Sequence, residues 1–283
     1  MAAFADGTVY VRRRSTEKDV ELFSRLDVSG AKDEIKVLVA GDLAGFTAGS
    51  EDHLRLFFNA RHPSKAARIV DVSRSGKVET EIEFGDKGNK YDPPYTRHGA
   101  ICCDSAGRLF FAGGNDALIG RVGRDGSYYY RHGSELHSFV LGSSGGLICL
   151  SPDQSLLYVT GYDGRIDCLH LRSEPPLFEH AQHFYLTENP YGLMFPVAVN
   201  AMCVDSNGWL YVATSLGIQV LDQAGRVNFI IPTPHQPHDV CFGGKNLSEL
   251  FIACDTKIYK RPTKAHGIVS GQMAPIKPPP PKL

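Results

Sequence analysis

Net charge, long apolar runs and paired cysteine motifs are what this 283-residue sequence lacks. Thirty Lys and Arg against 31 Asp and Glu leave a formal charge of −1. No net field therefore exists to gather a nucleic-acid backbone or an anionic bilayer, and neither partner is expected. No run of 18 apolar residues occurs, so no membrane-spanning helix is predicted. The opening MAAFADGTVYVRRR has no apolar core behind a basic tip, and no secretory leader is read in it. The seven cysteines are odd in number, form no CxxC pair and sit in apolar runs such as AICCD, GLICLS, AMCVD and DVCFGG. They read as small buried hydrophobes rather than as a disulfide framework or a structural zinc site, and a reducing, cytoplasmic setting is expected.

Helical periodicity is missing too, since no 12-residue stretch carries apolar residues at a 3.6 spacing. A repeat takes its place. A turn with Asp, Gly or Asn leads into a short run of alternating Leu or Val with Tyr or Phe, in DGTVYVR, EDHLRLFFNA, DSAGRLFFAG, SPDQSLLYVTG, DSNGWLYVAT and NLSELFIAC. Taking Val9, Phe57, Phe110, Tyr158, Tyr211 and Phe251 as markers, the gaps are 48, 53, 48, 53 and 40 residues. Most copies have a short apolar strand ahead of them, and runs such as RIVDVSRSGKV, RIDCLHL and GIQVLDQAGRV follow. Each unit thus offers three or four strands joined by tight turns, which fits one propeller blade. A lone blade cannot bury both faces, so the sequence predicts an all-β, six-bladed β-propeller over residues 1–268 whose first and last blades meet to close the ring. Residues 269–283 are rich in proline, which cannot donate ladder hydrogen bonds, and are expected to form an extended tail.

Over residues 192–263 the phrases NAMCVDSNGWLYVAT, GIQVLDQAGRV, FGG and LFIACDTKIYKRP follow one another in the order seen in the gluconolactonase, senescence marker protein and luciferin-regenerating enzyme superfamily, which the chain resembles. GGLICLSPDQSLLYVT and HGAICCDSAGRLFFAG extend the similarity upstream to about residue 97, and over the first 90 residues only the repeat spacing supports it. The resemblance implies a six-bladed propeller and a hydrolase of lactones or related esters. It also implies one divalent cation, usually Ca²⁺, held at the channel mouth by a Glu, two Asn and an Asp, an oxygen set suited to a hard ion. Carried over residue by residue, the Glu falls within DLAGFTAG, which has none, and the two Asn fall at Gly99 and Gly145. The Asp becomes Asn200. Asn200 is therefore the one matching metal ligand, unless Asp42, Glu51 or Asp52 stands in for the missing Glu.

Residues just ahead of the inner strands lie nearest the channel mouth of a propeller. His98, His238 and Asp239 are accordingly the candidate catalytic acid and base groups, with Arg97, Ser144 and Asn200 as candidate contacts to a sugar lactone or sugar acid. The two histidines with Asn200 and Asp239 could also hold Zn²⁺, so the cation implied by the resemblance is either Ca²⁺ or Zn²⁺ if one is retained. Two other readings remain open at this stage: a non-catalytic propeller that binds a small ligand or a protein partner, and a lyase or epimerase using the two histidines. His180 and His183, three apart in a strand, point to opposite faces and make a poor ligand pair.

Overall fold

The computed structural model describes residues 1–13, 15–26, 34–38, 42–59, 67–84, 100–113, 118–125, 127–132, 147–160, 165–171, 179–184, 197 and 199–280. Their strands form six antiparallel sheets, each built from strands consecutive in sequence. Blade 1 is β1 (Ala2–Ala3), β2 (Val9–Arg13), β3 (Val20–Leu26) and β4 (Glu34–Leu38), and blade 2 is β5 (Asp42–Ala48), β6 (Leu54–Asn59), β7 (Ala67–Val72) and β8 (Val78–Phe84). Blade 3 is β9 (Ala100–Cys103), β10 (Leu109–Gly113), β11 (Leu118–Val122) and β12 (Tyr128–His132), and blade 4 is β13 (Ile148–Leu150), β14 (Leu156–Thr160), β15 (Ile166–His170) and β16 (Glu179–Phe184). Blade 5 is β17 (Val199–Val204), β18 (Leu210–Thr214), β19 (Gly217–Leu221) and β20 (Val227–Ile231), while blade 6 has three strands, β21 (Pro237–Gly243), β22 (Glu249–Cys254) and β23 (Lys257–Pro262). The first strand of each blade adjoins the first strands of both neighbours, and β1 meets β5 on one side and β21 on the other. The ring is closed, as the six repeats predicted.

Aspartate and glycine set the turns between strands. Asp205 takes a hydrogen bond on its carboxylate from the backbone N–H of Asn207 and of Trp209, both at 2.9 Å, and Gly208 turns the chain at φ +78°. Asp222 and Gly225 repeat the device one hairpin later, with Gly225 at φ +79°. Glycine reaches this backbone region without steric cost, and the short carboxylate mimics a turn hydrogen bond.

Side chains from facing blades make the core. Phe57 of blade 2 stacks on Phe111 of blade 3 with ring centroids 5.9 Å apart, and Phe84 completes the cluster. Burying each such ring contributes about 1.5–3 kcal/mol relative to exposure. Phe111 fits because its cross-strand partner is Gly120, where an added Cβ would stand 2.2 Å from the ring. Alongside runs a buried polar link. The Arg55 guanidinium bonds both carboxylate oxygens of Asp71 at 2.6 Å and donates to the Gly107 carbonyl of the next blade at 2.7 Å. Burial opposes the charge, but Asp71 outweighs it and holds the Arg55 pKa above its ordinary value.

Blades 1 and 6 share no strand. They are joined by packing of Val9 against Cys241 and Phe251 and by a hydrogen bond from the Gly244 N–H to the Gly7 carbonyl at 2.8 Å. Residues 264–280 then run across one end of the ring as a strap. The Ser206 N–H donates to His266 O, Gly267 to Leu247 O, Ile268 to Val204 O and Ile276 to Pro152 O. The Ala5 N–H donates to the Gln272 side chain, and Gln154 donates to the carbonyls of Ser270 and Met273. Val269 is buried in the main core cluster, so the segment expected as a tail from residue 269 begins inside the packed ring. Its proline-rich end lies largely exposed along blade 5, where Gln223 donates to Pro279 O at 2.6 Å.

Candidate functional site

Three inner strands carry a β-bulge at the same register. In β5 the pairing skips Ala44, in β17 it skips Asn200, and in β21 it skips His238. Each skipped residue stands four places before a residue paired with a leucine of the next strand: Ala48 with Leu54, Val204 with Leu210, Phe242 with Leu250. An extra residue opposite one partner bends the strand and re-aims its side chain, and bulges collect at the rims of closed sheets and beside active sites. The alternation of polar and apolar residues carries no mark of these bulges, so sequence reasoning found Asn200 and His238 from their place ahead of the strands and not from their geometry.

Blades 5 and 6 carry three of the predicted residues, Asn200, His238 and Asp239, with different partners. The Asn200 side chain donates from Nδ2 to the Pro237 carbonyl at 2.8 Å, which ties the bulge of blade 5 to the residue before His238. His238 is exposed at the rim, its Nε2 3.8 Å from Asp255 Oδ1, and His235 Nδ1 lies 3.4 Å from the other oxygen of the same carboxylate. Asp239, one residue on, lines the channel instead and pairs with the amino group of Met1. Burial opposes the charge on that amino group, but the Asp239 carboxylate prevails and raises its pKa. Arg97, His98 and Ser144 lie outside the described residues.

Among the described residues, Ala44 offers no side-chain oxygen in the first bulge, and Asn200 donates from Nδ2 to backbone, which leaves its Oδ1 as the oxygen that could face a cation. Among the described residues no group of three or more His, Cys, Asp or Glu side chains is arranged to hold a metal ion.

Below the rim the inner strands of all six blades enclose a cavity of about 170 Å³, floored by residues 268–271 of the strap. Thr47, Ser270 and Asp239 supply polar side chains to it. Sequence reasoning missed both the floor and the row of cysteines in its wall. Cys102, Cys149, Cys203 and Cys241 occupy equivalent places on β9, β13, β17 and β21, each paired across its sheet with the aromatic of the repeat: Phe110, Tyr158, Tyr211 and Phe251. The signal was present in AICCD, GLICLS, AMCVD and DVCFGG, where the cysteine falls at one register. Among the described residues no helix is long and apolar enough to cross a membrane.

Residues 19–256 match a family model described as the SMP-30/gluconolactonase/LRE-like region. No curated protein sequence matches the chain. Several solved structures do. A gluconolactonase from Xanthomonas campestris is 16% identical with a TM-score of 0.58, over 86% of this chain and 82% of that one. A luciferin-regenerating enzyme is 15% identical with a TM-score of 0.61, over 95% and 96% of the two chains. The calcium-binding protein regucalcin from Agrobacterium tumefaciens is 14% identical with a TM-score of 0.60, over 96% and 90%. At these identities the structural likeness establishes the fold. The family match begins at residue 19, well before the motifs that carried the resemblance in the sequence.

Proposed function

Because the chain belongs to the SMP-30/gluconolactonase/LRE-like family, we propose that it is a lactonase-type hydrolase acting on a small carbohydrate-derived lactone or ester at the rim of the channel. The observation that carries this reading is the shared bulge register, which sets Asn200 and His238 at matching places on adjacent inner strands. In the proposed reaction His238 accepts a proton from water as its oxygen attacks the ester carbonyl. The C–O bond to the ring oxygen then breaks, and the same proton passes to the departing alkoxide. A primary amide has two N–H donors. One of those on Asn200 holds Pro237 O, and the second is available to the carbonyl oxygen as charge develops on it. Asp255 Oδ1, 3.8 Å from Nε2, would orient the imidazole. From the sequence alone, His98 is proposed as a second acid or base, and Arg97 and Ser144 as contacts to the substrate.

A divalent cation at this rim would supply Lewis-acid polarisation of the carbonyl, but the described residues gather no set of three ligands for one, and no step is assigned to it. The test is hydrolysis of a panel of aldonolactones and simple esters, followed by acid release, with and without EDTA. Turnover that survives EDTA and falls at least tenfold in His238→Ala supports the reading. Turnover indifferent to His238→Ala, or a protein inert to the whole panel, overturns it.

A further inference from the structure

Five of the chain's seven cysteines and two of its four methionines line this central cavity. Packing explains why the residue must be small there, since blades 1 and 2 place Ala2 and Thr47 at the same register. It does not explain why four consecutive blades use a thiol at that place. Cys102, Cys149 and Cys203 all retain some exposed surface, and Cys241 is nearly buried. All four line the cavity, with Met1 and Met202 adding thioether sulfur and no Lys, Arg or His among the lining residues. The strands that carry them adjoin in turn around the ring, β9 with β13, β13 with β17 and β17 with β21. The row lies three residues deeper than the bulges at Asn200 and His238, or roughly 10 Å along the strand, so it is separate from the rim chemistry.

We propose that the row formed by Cys102, Cys149, Cys203 and Cys241 binds a soft monovalent cation, Cu(I), between neighbouring thiolates inside the channel. Thiolate and thioether ligands select Cu(I) over hard cations. No three of these groups converge as a multidentate site, which disfavours the four-ligand geometry of structural zinc. A two-coordinate ion needs one pair. Burial keeps the groups as thiols at neutral pH, pushing Cys149 and Cys241 up to about 12 and raising Cys102 and Cys203 well above the ordinary thiol range. Binding is therefore an exchange: one Cu(I) enters, two S–H bonds break, two Cu–S bonds form and two protons leave to solvent, with no change of oxidation state.

The experiment titrates the reduced full-length chain, under argon, with the coloured Cu(I) complex of bathocuproine disulfonate. Uptake of about one Cu(I) per chain, with about two protons released in weak buffer, is expected. The Cys102→Ala/Cys149→Ala/Cys203→Ala/Cys241→Ala variant should lose it, while Cys168→Ala and Cys254→Ala, whose thiols lie outside the cavity, should keep it. Should the fourfold variant fail to fold, the two pair variants Cys102→Ala/Cys149→Ala and Cys203→Ala/Cys241→Ala and X-ray absorption of the loaded wild type decide. At least one pair variant must then lose the uptake, and the bound Cu(I) must show two sulfur neighbours. No uptake by the wild type, uptake that persists in the folded fourfold variant or in both pair variants, or a copper without two sulfur neighbours would overturn the proposal.

Discussion

Asp71→Ala isolates what the buried ion pair between blades 2 and 3 contributes. The Arg55 side chain is 6% exposed and that of Asp71 13%, so the substitution strands a guanidinium where water cannot replace the lost carboxylate. Removing one partner of such a pair costs about 3–5 kcal/mol, most of it the penalty of the uncompensated charge. For a domain of this size each kcal/mol lowers Tm by about 2–4 °C, so a fall of roughly 10 °C is expected in a thermal melt. The Gly107 carbonyl and the Cys103 sulfur remain to Arg55, the latter at 3.7 Å, which places the cost toward the lower end of that range. The double variant Arg55→Leu/Asp71→Leu removes both charges and should recover a large part of the loss. A loss under about 1 kcal/mol for Asp71→Ala, the scale of solvated surface pairs, would refute the claim that this link is shielded from water. So would a double variant less stable than the single one.

Three further outcomes follow from the same structure. Gly120→Ala drives a methyl into the Phe111 ring and should cost about 1–3 kcal/mol by overpacking, read in urea denaturation; a change under about 0.5 kcal/mol would show that the ring can move aside. The Asp222 carboxylate, though partly desolvated, is held below its ordinary pKa by hydrogen bonds from Asn228, Arg226 and Ala224. It therefore stabilises the fold above the unfolded value of 3.8 and loses this as pH falls through its lower folded value, so Asp222→Asn should be less stable than wild type at pH 7 and converge with it in strong acid. Equal stability at both pH values would contradict the assignment. Deleting residues 264–283 removes the strap and should lower Tm and raise binding of an apolar dye at the opened channel end, and an unchanged melt would mean that the ring holds without it.

The later blades were legible because their turns and pairing share one vocabulary. Asp104, Asp205 and Asp222 each stand three residues before a glycine, and the aromatic that follows in blades 3 to 6 faces an inner-strand cysteine. The first two blades speak it less clearly. Val9 and Phe57 mark them in the repeat, but the residues facing the equivalent inner positions Ala2 and Thr47 are Tyr10 and Arg55. A search for apolar residues slides past an arginine, whose burial is made tolerable by Asp71 and Gly107, partners no local pattern reveals. The strap was hidden by its prolines for a related reason. Proline removes a backbone donor but keeps its carbonyl, and the strap is held partly by carbonyls that accept from the blades, those of His266, Ser270, Met273 and Pro279, and partly by N–H groups of non-proline residues, Gly267, Ile268 and Ile276. At the rim, Asn200 and His238 could be named from position, while their meeting through Pro237 depends on the fold of two blades at once.

The strap also bears on the order in which the molecule can form. Each blade is made of neighbouring strands and can pair locally, but the contacts that lock the circle join Gly7 to Gly244 and Ala5 to Gln272, across nearly the whole chain. Such contacts carry the largest loop-closure cost and come late. On a ribosome the six sheets would be able to assemble one after another as an open arc with an unsealed inner edge, exposed to pairing with other nascent chains. Only when the segment around Val269 emerges does the arc gain the piece that bolts its two ends together.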